Sequence, residues 1–477
     1  MRMRRGRLNR MATRFVSIDR DTPLLLPPNL RDWVPDDHLV HFILDAVAAL
    51  DLRQVKVNER GTGSEQYPPT LLLALLIYSY ATGIFSSRRI EQSTYESVPV
   101  RLLTADTHPD HDTICALRRE NKALLSESFV KVLQLAQQLN VLQVGQITVA
   151  VDGTKVLANA SKHAAVSYER AGQLIEQLER EVKQLVAKAE QADRTPLQDG
   201  LTIPEEIVRR QERQAALEKA RAEIEARAQA RYAVELAEHE KKLAARAAQK
   251  ERGGKVGGKP PQGPSPEPDA KDQYNFTDPQ SRIMKAGNAN HFEQSDNAQV
   301  AVEVQSRLIV GERVSQSPND KQELLPTLQA IPPPVGAIEA VLMDSGFYSE
   351  TAVRTVEQTA AGQLSGTTVY AAMERQSHHR SVADLEKKEE PGAPGAGASV
   401  SEVMKHRLAT KAGKKKYPLR QQTVEPVFGI LKSVLGFRGF LLRGWEKVKL
   451  EWTLICAAYN LKRLHRLGAG LKRAATG

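Results

Sequence analysis

Two short apolar runs that each finish on an aspartate, QITVAVDGTKV at 146–156 and AIEAVLMDSGFYS at 337–349, constrain this chain more than any other feature. Both are rich in Val, Ile, Ala and Leu and read as buried strands that end on a carboxylate, Asp152 and Asp344. A third acid, Glu425, lies in YPLRQQTVEPVFGILK at 417–432, which reads as a helix. A carboxylate set among apolar neighbours costs folding free energy unless something compensates its charge. A long segment after the first strand would then be an insertion, which chain continuity allows.

The order of elements supports that view. DNAQVAVEVQ and RLIVGERVSQ predict a β-hairpin, KQELLPTLQA a helix, TAVRTVEQTAAG another helix and GTTVYAAM a short strand. Strand, hairpin, helix, strand, helix, strand and a late acid-bearing helix is the order of a ribonuclease-H-like domain. The fold class expected is α/β: a ribonuclease-H-like catalytic domain at 146–164 and 270–467, with a helical N-terminal domain at 20–145. Between the first strand and the hairpin, residues 165–250 are rich in Glu, Lys, Arg, Ala and Leu. Ile175, Leu178, Val182, Leu185 and Ala189 form a coiled-coil seam, and Leu217, Ile224, Leu236 and Leu243 recur on a second helix. The segment is predicted to be an inserted helical hairpin, tolerable because loop-closure entropy grows slowly with length. GGKVGGKPPQGPSPEPDAKD marks a flexible linker at 251–270, and 380–400 has the composition of a disordered loop.

Charge narrows the partner. The 477 residues carry a net charge of +10, and the sequence pI is near 9.4, which favours a polyanion. The excess is concentrated in a basic N-terminal tail at 1–19, in KAGKKKYPLR beside Glu425, and in a basic C-terminal tail at 468–477. In the helical domain, TLLLALLIYSYATGIF reads as a buried helix too short and interrupted to span a bilayer. SSRRIEQSTYES follows it with Arg88 and Arg89 on a basic face. Cys115 and Cys456 provide no disulfide framework, and no signal peptide opens the chain, so a reducing cytoplasm is expected. His108, Asp110, His111 and Asp112 read as a loop and cap, with Asp112 or Thr113 as N-cap. His378 and His379 read as solvent-facing. Trp445 and Trp452 are expected to be core anchors.

Carboxylates converging on one point can hold two divalent ions about 3.5–4 Å apart, the equipment of phosphodiester chemistry. The motifs resemble those of the DDE transposases of bacterial insertion sequences, in the superfamily with a Tyr–Arg–Glu–Lys signature. VDGTKVLANASK carries the first acid, MDSGFYS the second, and YPLRQQTVEPVFGILK the third, with Tyr417, Arg420, Glu425 and Lys432 in the signature positions. LLPPNLRDWVPDDHLVHFI, DPQSRIMK and GFRGFLLRGWEKVKLEWTLICAAYNLKRL extend the resemblance over about residues 20–467.

The resemblance implies Asp152, Asp344 and Glu425 as catalytic metal ligands for two Mg2+ or Mn2+ ions. It implies DNA contacts from Tyr417, Arg420 and Lys432, to which Lys155, Lys162, Arg88 and Arg89 are added as basic candidates. The implied activity is binding of terminal inverted repeats, metal-dependent cleavage, and joining of the 3′-OH end to target DNA. A homodimer or higher oligomer on double-stranded DNA, in the bacterial cytoplasm at the nucleoid and with no membrane partner, goes with it. The alternatives are a ribonuclease-H-like nuclease without strand transfer and a catalytically inactive DNA-binding protein. One spacing departs from the signature: four residues, not three, separate Arg420 from Glu425. On a helix the extra residue turns the arginine by roughly 100°, and Pro418 favours a position for Arg420 just before the helix begins.

Overall fold

The structure is a computed structural model that describes residues 29–50, 66–143, 145–192, 203–251, 261–286, 291–358, 365–373, 391–395 and 397–468. The N-terminal tail, His378, His379, residues 252–260 of the linker, and most of the 380–400 loop and the C-terminal tail lie outside the described residues.

Alternating and continuous apolar runs form one mixed sheet. Its strands are β1 (Ile147–Leu157), β4 (Arg282–Lys285), β5 (Phe292–Glu303), β6 (Ile309–Ser315), β7 (Ile338–Met343) and β8 (Thr368–Ala371). The order is β4–β5–β1–β7–β8, with β6 also on β5. β5 runs antiparallel to β1, β4 and β6, with β4 opposite its first residues and β6 opposite its later ones. β7 is parallel to β1, and β8 is parallel to β7. The predicted hairpin is therefore β5–β6, and the two apolar runs that end in aspartate lie side by side.

Between β1 and β5 lies the insertion. β2 (Ala165–Ser167) and β3 (Gln273–Asn275) pair antiparallel where the chain leaves and returns. That ribbon brings the two ends together, so the insertion leaves the sheet register undisturbed. Between the two strands run α7 (Tyr168–Ala192) and α8 (Ile203–Glu251). They are antiparallel: Arg221 bonds the Tyr168 hydroxyl at 2.8 Å near one end, and Arg210 bonds Glu181 at 2.8 Å further along. Ala171, Leu178, Leu217, Ala220 and Ile224 form a small core of their own, with Ile175 against it. At 1.5 Å per residue, α8 with 49 residues is about 73 Å long, twice the length of the 25-residue α7. Leu243, on the overhang, is accordingly exposed.

The remaining helices are α1 (Leu39–Ala48), α2 (Pro69–Ala81), α3 (Ser87–Glu96), α4 (Val98–Leu103), α5 (His111–Glu120), α6 (Lys122–Gln138), α9 (Leu324–Gln329), α10 (Glu350–Glu357), α11 (Val400–Ala409), α12 (Lys411–Lys416), α13 (Leu419–Gly429) and α14 (Trp445–Arg466); α9, α10, α11, α13 and α14 pack on the sheet, and α1, α2, α5 and α6 pack against α14 or one another. α2 is buried on every side, as its unbroken apolar sequence demands, and starts with proline at a first-turn position. After it, Gly83 at φ +85° is required, because a Cβ there would lie 2.7 Å from the Leu435 carbonyl oxygen. α5 is capped by Asp110 rather than Asp112 or Thr113: the Asp110 carboxylate accepts the Thr113 N–H at 2.8 Å. His108 stacks on Tyr95 and His111 bonds Glu91, both structural roles. Trp452 is a core anchor, whereas Trp445 is only half-buried and lies under Lys449.

One hydrophobic core runs through α1, α2, α6, the sheet and α14. The helical N-terminal region and the sheet therefore share their interior. A polar chain crosses it: Arg118 donates to the Tyr80 hydroxyl at 2.9 Å, and Tyr80 donates to Glu451 at 3.0 Å. Glu451, 1% exposed, also accepts the N–H groups of Leu441 and Leu442.

A second buried acid lacks such compensation. Asp296 on β5 is pushed up to about 7 by burial and by the nearby Asp278 charge, with Arg282 opposing. Between the ordinary carboxyl range and pH 7 the folded chain keeps a proton that the unfolded chain releases, so stability falls as pH rises. Above pH 7 the deficit reaches up to about 4 kcal/mol. Asp296→Asn is therefore expected to stabilise the protein by about 2–4 kcal/mol at pH 8 and by about 1 kcal/mol at pH 4.5. Urea denaturation at the two pH values checks this; equal effects at both would refute it.

Candidate active site

The candidate site lies where β7 leaves β1. Their parallel pairing ends at Ala150 and Leu342. Asp152 lies two residues past that point on one chain segment and Asp344 two residues past it on the other. The expectation that Asp152 ends its strand is corrected: β1 continues to Leu157, because β5 continues opposite it from Val300 to Ser295. What has ended before Asp152 is the pairing with the neighbour on the other side. The carboxyl ends of parallel strands that part in this way leave a crevice, the usual seat of a site in open α/β sheets.

The two carboxylates act on each other. Asp152 is pushed up to about 7, first by burial and then by the Asp344 charge, while the Gly153 N–H and Arg420 pull it down. Gly153 donates to Asp152 Oδ1 at 2.8 Å, and Gly346 donates to Asp344 Oδ1 at 2.7 Å, so each carboxylate is held by a backbone N–H of its own segment. A guanidinium nitrogen of Arg420 lies 3.8 Å from Asp152 Oδ2, with side-chain exposures of 12% and 20%. Arg420 Nε is buried and has no hydrogen-bond partner. Two crowded carboxylates with one loosely placed cation are an electrostatically incomplete set, and hard oxygen donors of this kind suit a divalent ion.

Arg420 is the second residue of α13, inside the helix rather than before it. Five residues later Glu425 is turned about 140° from it, and its side chain is exposed. The structure therefore brings Asp152, Asp344 and Arg420 together and leaves Glu425 on the same helix, facing outward. Among the described residues no group of three or more His, Cys, Asp or Glu side chains gathers at metal-binding distance. Tyr417 is half-buried at the C-cap of α12, two residues before α13 begins. Lys432, in a π-helical turn at Ile430–Val434, donates to Thr154 Oγ1 at 2.6 Å and to the Lys155 carbonyl at 2.7 Å. Lys155 Nζ is buried with no hydrogen-bond partner; burial lowers its pKa, with the charges of Asp320 and Glu323 opposing. Lys162 is exposed and pairs with Glu293 at 3.2 Å. Arg88 and Arg89 are exposed on α3.

Sequence reasoning missed the floor behind Asp152. Asn297 and Gln299 each donate to Asp320 Oδ1 at 2.7 Å, directly across from Lys155 and Gly153. A Cβ on Gly153 would lie 2.2 Å from Gln299 Nε2 and 2.9 Å from Asp320 Oδ1. The glycine was the available signal, since an isolated glycine inside a strand marks a close approach. Gly153→Ala is expected to cost about 1–3 kcal/mol by overpacking, read by thermal or urea denaturation. An unchanged midpoint would show that the floor yields freely.

Comparison with protein families gives two matches: residues 396–465 match the family described as Transposase DDE domain, and residues 28–120 match that described as Transposase domain (DUF772). No curated protein and no solved structure matches the chain. No helix among the described residues is long and apolar enough to cross a membrane. The DDE match contains Arg420, Glu425 and Lys432, and the second match contains Tyr80 and Arg118 of the polar chain that reaches Glu451. The two matched segments are thus parts of one folded body, and together they indicate a DDE-type transposase of the insertion-sequence type.

Proposed function

We propose that the protein binds the terminal inverted repeats of its own element, hydrolyses the strand at the element end, and joins the freed 3′-OH to target DNA. The observation that carries the reading is the facing pair Asp152 and Asp344 at the β1/β7 fork, with Arg420 beside them. A ribonuclease-H-like sheet is supported by the strand order β6–β5–β1–β7–β8, with β7 and β8 parallel to β1.

Asp152, Asp344 and Glu425 would hold two divalent ions, Mg2+ or Mn2+. Bound there, the ions would activate an attacking oxygen and stabilise the leaving one during in-line displacement at phosphorus. In hydrolysis, water forms the new P–O bond and the 3′-oxygen leaves with a proton. In joining, that 3′-OH forms the new P–O bond and a target oxygen leaves, so neither step needs a co-reactant. Arg420 has a free Nε and a planar fork suited to two phosphate oxygens. Tyr417 assists from just before the same helix. Arg88, Arg89 and Lys162 neutralise phosphates further along the duplex. Acting on chromosomal DNA places the protein at the nucleoid in the cytoplasm.

Two element ends must meet, which requires a dimer or larger assembly. The α7–α8 hairpin, read as a coiled coil, would supply that contact through its overhang. Deleting 170–248 and finding the same oligomeric state on end DNA would remove this role.

The test of the function is an assay of the full chain with Mg2+ or Mn2+, an end duplex and a target plasmid. Joined products are expected. Nicked but unjoined DNA would mean a nuclease without strand transfer, and unaltered DNA would mean an inactive DNA-binding protein. Matched inverted repeats flanking the gene would supply the duplex.

A further inference from the structure

Once β7 departs, the edge of β1 that faced it is open. Along a strand, alternate residues direct their N–H and C=O to the same neighbour. Leu157 bonds across this open edge, its N–H to the Arg438 carbonyl and its C=O to the Phe440 N–H. By that alternation Gly153 and Lys155 also present their peptide groups there. Buried peptide groups need partners, and the chain supplies them from side chains. Gly153 N–H is taken by Asp152 Oδ1, and Lys155 C=O by Lys432 Nζ at 2.7 Å. The same ammonium also donates to Thr154 Oγ1 at 2.6 Å.

This attachment has a consequence for the helix that carries Glu425. At its start, α13 meets β1 through Arg420 and Asp152, 3.8 Å apart. At its far end, the π-helical turn meets β1 through Lys432, Thr154 and the Lys155 carbonyl. Glu425 lies between the two attachments. A π turn inserts an extra residue into helical winding and re-aims the side chains beyond the insertion. Here the turn carries Lys432, whose side chain reaches the strand.

We propose that Lys432 and Thr154 form a clasp that sets the position of α13, and with it Glu425, against the strand bearing Asp152. On this view Lys432 is a positioning residue and not a phosphate contact, and Thr154 is its necessary partner. The inference rests on the metal-dependent reading of the site. Two of the three ammonium donors are already used inside the protein, and burial lowers the Lys432 pKa, as expected of a cation drawn out of water.

The test uses the full chain carrying Thr154→Val, Thr154→Ser, Lys432→Gln or Lys432→Arg. Hydrogen exchange of the 430–437 amides is read without metal, Mn2+ affinity by electron paramagnetic resonance, and the salt dependence of end-duplex binding in a chelator. The clasp requires faster exchange of the 430–437 amides in Thr154→Val and Lys432→Gln. It also requires Mn2+ affinity lower by about tenfold, as for loss of partners that orient metal ligands. The salt slope should stay at the wild-type value, and Thr154→Ser should restore both other readouts. A slope reduced by about one in Lys432→Gln, the mark of a lost phosphate contact, with Thr154→Val indistinguishable from wild type, would overturn the proposal. If Lys432→Gln fails to fold, the near-isosteric Thr154→Val decides alone. Should the wild-type protein bind no Mn2+ and cleave no DNA, the metal-dependent reading fails, while exchange of the 430–437 amides still tests the clasp.

Discussion

Asparagine in place of Asp152 or Asp344 is expected to reduce end cleavage by at least about a thousandfold, the scale of losing electrostatic stabilisation at a reacting centre. Binding of the end duplex in a chelator should remain within about twofold, because the phosphates are held by cations and not by these acids. The change is nearly isosteric, so the sheet should survive it. Asp152→Asn removes a charge that burial and Asp344 both oppose, and stability should hold or rise. Cleavage of a labelled duplex in Mg2+, with binding measured in parallel, separates the two effects. Glu425→Gln should give the same loss of cleavage if its exposed side chain turns inward on DNA and metal. If all three variants cleave like wild type, the catalytic assignment is wrong.

The second large effect concerns the interior. Glu451→Ala is expected to destabilise the protein by about 3–5 kcal/mol, the cost of breaking a buried hydrogen-bonded charge network from one side. It strands the N–H groups of Leu441 and Leu442 and the Tyr80 hydroxyl at once. It also leaves Arg118, 3% exposed, without the acid that its network serves. Glu451→Gln keeps an acceptor for the two backbone groups and should cost less than half as much. Urea denaturation followed by far-ultraviolet circular dichroism reads both. A loss below about 1 kcal/mol for the alanine variant would show that water replaces the carboxylate. Because the network joins helices of the N-terminal match to α14, loss of Glu451 should also loosen α2 and α5. Protease cleavage near residues 82–86 reports that.

Much of the architecture could be read from local pattern. The strand runs around Asp152 and Asp344, the β5–β6 hairpin, the acid-bearing helix and the paired helices of the insertion all appear where periodicity placed them. Each depends on short-range spacing of apolar side chains, and such spacing is written along the chain. Local pattern failed where a boundary depended on a distant partner. Asp152 sits inside a strand because β5 runs on opposite it, and no residue near 152 announces the length of β5. Asp110 caps α5 in place of its neighbours because the carboxylate that meets Thr113 is chosen by chain geometry. Arg420 falls inside its helix despite Pro418, since proline is tolerated in a first turn but need not end what precedes it.

The sequence by itself determined which elements form, their order, the basic excess and the two aspartates that finish apolar runs. Tertiary structure alone decided which charges meet. Arg420 faces Asp152 across more than half the chain, Lys432 reaches Thr154, Lys155 is turned inward toward Asp320, and Glu451 gathers donors from Tyr80 and its own preceding loop. Local propensity acts over a few residues, whereas an unpaired peptide group or a desolvated charge is satisfied by whatever the packed chain brings near. The acids were legible because they interrupt apolar runs; their partners became visible only when the sheet forked beside them.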